Sequence, residues 1–154
     1  MSCEVTAIVD FCYGHRLLNY SGKCRHFHGH NGRVEVKAIS DGLDDTGFVV
    51  DFSDLKSFTK GWIDEEWDHR MQLNEKDEAL ATMKVVDPKV RAVPFNPTAD
   101  YMANELLCAA REYLIDAFAD AHNNRCLDLI AVKFWETPTS YAEAFNQPCL
   151  QTKS

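Results

Sequence analysis

The chain has 154 residues, a formal net charge of -8 and 26% charged residues. That length suits one domain with a single core, so residues 1–154 read as one unit. The acidic balance excludes a general nucleic-acid binder, which needs a basic footprint, and no apolar stretch is long enough to span a bilayer. The start, "MSCEVTAIVDF", lacks a basic-then-apolar leader, so a cytoplasmic protein is expected. Six cysteines without a C-x-x-C pair read as reduced thiols rather than a disulfide framework or a zinc ribbon. Charge is uneven: Arg16, Lys23, Arg25, Arg33 and Lys37 face only Glu35 between positions 15 and 37, a local excess suited to an anionic small molecule.

In chain order, Glu4 to Tyr13 is β-branched and aromatic and predicts a strand. "GRVEVKAIS" alternates cleanly, with Val34, Val36 and Ala38 on one face and Arg33, Glu35 and Lys37 on the other, which predicts a second strand. "DDTGFVVDF" reads as a turn and a short extended piece. From Ser53, a candidate N-cap, the spacing of Phe52, Leu55, Phe58, Trp62 and Trp67 turns helical. "EKDEALATMKVVDPKVRAVPF" has weak periodicity and reads as a partly structured excursion. Thr98 is the expected N-cap of a second helix, with Asp100 in its first turn and Met102, Leu106, Ala109, Ala110, Tyr113 and Ala117 as its buried stripe. "LDLIAVKFWET" alternates again, with Ile130, Val132, Phe134 and Glu136 on one face, and "SYAEAF" is a short last strand. The order predicts an α+β fold: an antiparallel four-stranded sheet with two helices on one face. Its free edges would be protected by pairing in an oligomer.

"CRHFHGHNGRVEV" concentrates the chemistry. His28 and His30 stand two apart on an extended segment and so share one side, a bidentate start for zinc. His15, at the end of the first strand, is the best placed third ligand if the first two strands form a hairpin, and three histidines leave a fourth position open. Periodicity leaves His26 open as a ligand, since it shares the parity of His28 and His30. Cys24 lies just upstream, where basic residues and a cation would favour a thiolate able to act as a base. The other cysteines, Cys3, Cys12, Cys108, Cys126 and Cys149, read as buried and inert. In "EWDHRMQLN", Asp68 can orient the His69 imidazole only if the helix ends there, because neighbours on a helix face apart. Glu136 ends an apolar strand face, placed either to bind an amidine-like ligand edge or to form a salt bridge.

Taken together, "FCYGH", "CRHFHGHN", "GFVVDFSDLK", "WDHRMQLN", "NPTADYMA" and "WETPTSY", in that order, resemble the 6-pyruvoyl-tetrahydropterin synthase and 6-carboxytetrahydropterin synthase family, closest to the carboxy branch of queuosine biosynthesis. The resemblance implies zinc held by His15, His28 and His30, with His26 outside the site. It implies Cys24 as the proton-abstracting base, Asp68 and His69 as its partner dyad, Glu136 as the anchor of the pterin's guanidine-like edge, and Thr98 as a further pterin contact. The fold it implies is the tunnelling fold, in which sheets of several subunits, usually six, join into a barrel with sites at the interfaces. The implied reaction is zinc-dependent conversion of 7,8-dihydroneopterin triphosphate to 6-carboxytetrahydropterin with release of acetaldehyde and triphosphate. The pyruvoyl-forming reaction and a non-catalytic zinc- and pterin-binding protein are the alternatives. Arg16, Lys23 and Arg25 are candidates for triphosphate contact. The chain departs from the family pattern at Tyr13 and Gly14, where small residues are common, at Gly32, where an aromatic is common, and at Asp100 and Tyr101. Residues 75–96 are an insertion without an evident role.

Overall fold

The computed structural model describes residues 2–118 and 127–146. Six strands form one mixed sheet: β1 (Cys3–His15), β2 (His28–Ser40), β3 (Arg70–Asn74), β4 (Arg91–Val93), β5 (Leu127–Thr137) and β6 (Ser140–Phe145), in spatial order β4-β3-β1-β2-β5-β6. The four strands expected from alternation are the antiparallel unit β1-β2-β5-β6. Two additions extend it. β3 pairs parallel with the last three residues of β1, and β4 pairs parallel with β3. Neither is long enough for alternation to stand out, so the excursion carries strand as well as helix.

Helices α1 (Phe52–Glu66) and α3 (Ala99–Phe118) cover one face of the sheet, and the short α2 (Leu80–Val86) lies within the excursion. On β1 the odd residues Ala7, Val9, Phe11 and Tyr13 enter the core. They meet the even residues Val34, Val36 and Ala38 of β2, with Leu129, Val132 and Phe134 of β5. Leu55 and Ile63 of α1 and Met102, Ala103, Leu106, Leu107, Ala110 and Leu114 of α3 close the core from above. The stripe on α3 therefore sits slightly round from the expected one: Ala117 is exposed, and Ala109 and Tyr113 are half-buried. Asp51 caps α1, its carboxylate accepting from Ser53 N at 2.7 Å, so the cap lies before Ser53 rather than on it. Residues 41–50 form a turn with no strand, although Val49 and Val50 still reach the core.

Two irregularities interrupt the pairing of β5. Lys37 pairs with Ala131 but Ala38 with Leu129, so Ile130 is an extra residue. This bulge reverses the parity, and Leu129, not Ile130, is the fully buried side chain. Against β6, the register slips between Trp135 and Thr137 and leaves Glu136 without a partner. Alternation is kept through it: Glu136 shares the face of Val132 and Phe134, while Trp135 and Thr137 border the opposite one. No helix among the described residues is long and apolar enough to cross a membrane.

Candidate metal centre and active site

Antiparallel pairing of β1 and β2 puts His15 opposite His28 and Tyr13 opposite His30. The three histidines therefore converge at one end of the sheet, and their ligand atoms lie within 4.8 Å of one another. Each position has a local cause. His15 is buried, and its Nδ1 donates to the Pro97 carbonyl at 2.7 Å. His28 Nδ1 donates to the His26 carbonyl at 2.7 Å. A carbonyl only accepts, so both rings carry their proton on Nδ1 and present Nε2 as a lone pair. His28 Nε2 is buried with no hydrogen-bond partner. An orphaned buried nitrogen is costly unless something binds it, and a metal ion would do so. His15 Nε2 and His30 Nε2 stand 3.2 Å apart. Burial holds the pKa of both His15 and His30 below the ordinary histidine range, despite the Pro97 bond to His15 and the nearby Glu136 carboxylate. Both rings are thus in the neutral form that ligates metals. The residues fit a metal ion, as the spacing predicts, and His26 contributes its carbonyl rather than its ring.

Tyr13 forms the floor of the centre. Its ring lies 5.2 Å from that of His15 and 5.6 Å from that of His30, and its hydroxyl donates to Glu136 Oε1 at 3.5 Å. Burial and the Glu136 carboxylate push the phenol well above its usual range, so it stays a donor. Glu136 itself reaches the histidines: Oε1 is 3.5 Å from His15 Nε2 and 3.7 Å from His30 Nε2. Pro97 was not legible as a site residue, since it acts through a carbonyl, whereas Tyr13, a departure from the family pattern, does reach the site. Thr98 follows Pro97, and its hydroxyl accepts from Tyr101 N at 3.2 Å as the expected cap of α3. This seats the helix start beside His15.

Cys24 lies half-buried in a short 3-10 turn, Lys23–Arg25, held against the end of β1 by Leu17 N donating to Cys24 O at 2.8 Å. Cys3, Cys12 and Cys108 are exposed, contrary to the buried reading: Cys3 is the first residue of β1, beyond the core, and Cys12 and Cys108 lie on strand and helix faces turned away from it. Cys126 and Cys149 lie outside the described residues.

The dyad forms as its condition required. α1 stops at Glu66, and the backbone turns through His69 at φ 55 into β3. Asp68 Oδ2 then accepts from His69 Nδ1 at 2.8 Å, while Asp68 Oδ1 accepts from Cys12 N at 2.9 Å. Burial works to raise the Asp68 carboxyl, but the Cys12 amide and the His69 imidazole outweigh it and leave the pKa below the usual carboxylate value. This pair borders a cavity of about 770 Å³ on the open face of the sheet, together with Cys12, Asn31, Arg33 and Trp135. Neither Cys24 nor any of the three histidines lines it. Residue parity explains the separation: Tyr13 and His15 point into the helix-covered face, and Cys12 points away from it.

The local basic excess is largely neutralised. Arg16 makes a two-pronged pair with Asp77, at 2.7 and 2.5 Å, which removes it as a free anion contact. Arg33 binds Asp10 and Lys37 binds Glu4, while Lys23 and Arg25 are exposed. The insertion gains a role here: Asp77 holds Arg16, and Asn96 bonds the Leu18 backbone twice, at 2.8 and 2.9 Å. Residues 75–96 thus fasten the segment that follows His15.

The departure at Gly32 has a structural reason. A Cβ on Gly32 would lie 2.8 Å from the Phe11 ring, so that ring, from β1, occupies the space over position 32.

A family profile described as 6-pyruvoyl tetrahydropterin synthase matches residues 4–147. The 6-carboxy-5,6,7,8-tetrahydropterin synthase of Haemophilus influenzae is 33% identical over 148 residues, covering 91% of this chain and 96% of that protein. The protein of the same name from Rickettsia bellii is 30% identical over 143 residues, covering 91% and 98%. Among solved structures, an uncharacterized protein of Wolinella succinogenes superimposes with a TM-score of 0.80 at 26% identity, covering 96% of this chain and 99% of that one. The 6-pyruvoyl tetrahydropterin synthase of Plasmodium falciparum gives a TM-score of 0.71 at 19% identity, covering 94% and 98%, a likeness of fold. With the family profile spanning nearly the whole chain and the histidine cluster formed, this chain belongs to the 6-pyruvoyl tetrahydropterin synthase family.

Proposed function

We propose that the protein is a zinc-dependent carbon–carbon lyase that converts 7,8-dihydroneopterin triphosphate and water to 6-carboxytetrahydropterin, acetaldehyde and triphosphate, as in the formation of queuosine and related 7-deazapurines. The observation that carries this reading is the convergence of three imidazole nitrogens, one of them buried without a partner, in a chain whose relatives at about 30% identity bear the carboxy-pterin synthase name. His15, His28 and His30 hold the zinc, which when bound acts as a Lewis acid toward the substrate's side-chain oxygens and acidifies the neighbouring C–H. Cys24 takes that proton as thiolate. Asp68 fixes the His69 tautomer, with the proton on Nδ1 and Nε2 facing outward, so His69 carries protons to and from the side chain. Glu136 pairs with the guanidine-like edge of the pterin, and Thr98 supports it from the start of α3.

Neither Cys24 nor the three histidines border the cavity beside the dyad, so the reading calls for a second copy to complete the site. We place it at the interface of a homo-oligomer, a hexamer by family resemblance, in which the dyad on the open face of one subunit meets Cys24 of its neighbour. Replacing Cys24 by alanine tests the assignment. Turnover is lost with zinc retained if Cys24 is the base; turnover near wild type overturns it and favours a protein that binds without reacting.

A further inference from the structure

Three histidines leave one corner of a tetrahedron, and a carboxylate oxygen stands beside two of the three. Glu136 shares the parity of Val132 and Phe134, so ordinary alternation along β5 puts its side chain on the face of the sheet that holds the cluster. Glu136 Oε1 lies 3.5 Å from His15 Nε2 and 3.7 Å from His30 Nε2, and those two nitrogens are 3.2 Å apart. Donors about 2.0–2.1 Å from a tetrahedral ion stand about 3.3 Å from one another. The separations of Glu136 from His15 and His30 are close to that value. Among the described residues only the three histidine donors all lie within 4.8 Å of one another, so the carboxylate must swing toward His28 to complete the set. The His15 proton sits on Nδ1, held by the Pro97 carbonyl. Its Nε2 lone pair therefore faces a carboxylate lone pair, an arrangement that a cation between them relieves. On its other side, Oε1 accepts from the buried Tyr13 hydroxyl at 3.5 Å.

We propose that Glu136 is the fourth protein donor to the metal in the substrate-free protein, and that Tyr13 is a positioning residue whose hydroxyl holds Oε1 in that corner. The resting centre is then closed. The carboxylate must yield its place before substrate oxygens enter, and once released it is available to the substrate itself. This rests on the proposed metal centre and changes Glu136 from a substrate anchor alone to a group that alternates between ion and substrate.

The test is zinc affinity, measured by competition with a chromophoric chelator on wild type, Glu136→Gln, Tyr13→Phe, His15→Ala, and Glu143→Gln as an exposed control on β6. Folding of each variant is checked by circular dichroism. Glu136→Gln keeps the shape and should weaken zinc binding at least tenfold; Tyr13→Phe should weaken it less, and Glu143→Gln not at all. With Co2+ in place of zinc, the visible spectrum of wild type should shift when dihydroneopterin triphosphate is added, and Glu136→Gln should begin with a different spectrum. Zinc affinity of Glu136→Gln within twofold of wild type overturns the proposal, while His15→Ala still losing zinc leaves the histidine centre standing. If His15→Ala also binds zinc as wild type does, the metal-centre reading itself fails.

Discussion

Replacing Arg16 by methionine separates a structural ion pair from an anion-binding arginine. The Asp77 carboxylate is completely shielded from solvent, the Arg16 side chain is 19% exposed, and the two meet through both guanidinium prongs. Without Arg16, Asp77 keeps one donor, the Ala79 amide at 2.8 Å, in a site that water enters poorly. Breaking a buried pair by removing one partner costs about 3–5 kcal/mol. Partial exposure on the arginine side favours the lower end. The guanidinium also lies 4.7 Å from the centre of the Phe27 ring, a contact of about 0.5–1 kcal/mol. A loss of about 3–4 kcal/mol is therefore expected. For a chain of this size, it appears as a fall in Tm of about 6–15 °C, read by thermal and urea unfolding at one fixed protein concentration. The double variant Arg16→Met/Asp77→Asn should recover part of the loss, because the orphaned charge is gone. A loss below about 1 kcal/mol, joined to a tenfold rise in KM for a triphosphate substrate, would refute the reasoning and return Arg16 to the anion site.

Three further outcomes are expected from the same geometry. Asp77 has its pKa lowered by the Arg16 hydrogen bond, so its contribution is complete above the ordinary carboxylate range and is lost as pH falls through the lower folded value. Wild-type unfolding free energy should drop steeply below about pH 4, and the Arg16→Met curve should be flatter there. Gly32→Phe should destabilise by about 1–3 kcal/mol, because its Cβ alone would meet the Phe11 ring at 2.8 Å, and Phe11→Ala in the same chain should restore part of it. Asp68→Asn puts an amide against His69 and unsettles its tautomer. Turnover should fall by about 10²–10⁴-fold with zinc content unchanged, measured by steady-state kinetics and metal analysis.

The strands with strict alternation were legible because their period is two and one face is buried: Val34, Val36 and Ala38 are all fully enclosed. The histidine pair was legible for the same reason, and His15 came with the hairpin. What escaped was whatever turns on a single-residue shift or on a contact distant in sequence. The bulge at Ile130 reverses parity with no mark in the residue types, so Ile130 leaves the face that Val132, Phe134 and Glu136 share. Arg16 looked free beside other basic residues because Asp77 lies 61 positions away. Cys12 was misjudged because strand parity, rather than thiol hydrophobicity, sets its exposure, and Cys3 because it starts β1 beyond the core. The dyad lay in between: its residues were visible, but its formation depended on where α1 ends. That it opens on the face opposite the histidines is set only by the assembled sheet.

The most direct test of the proposed activity is a product assay: zinc-loaded protein incubated with 7,8-dihydroneopterin triphosphate, with acetaldehyde and the pterin formed both identified. Acetaldehyde and 6-carboxytetrahydropterin in equal amounts are the predicted products. A pyruvoyl pterin without acetaldehyde, or no product from a fully metallated protein, would contradict the lyase reading.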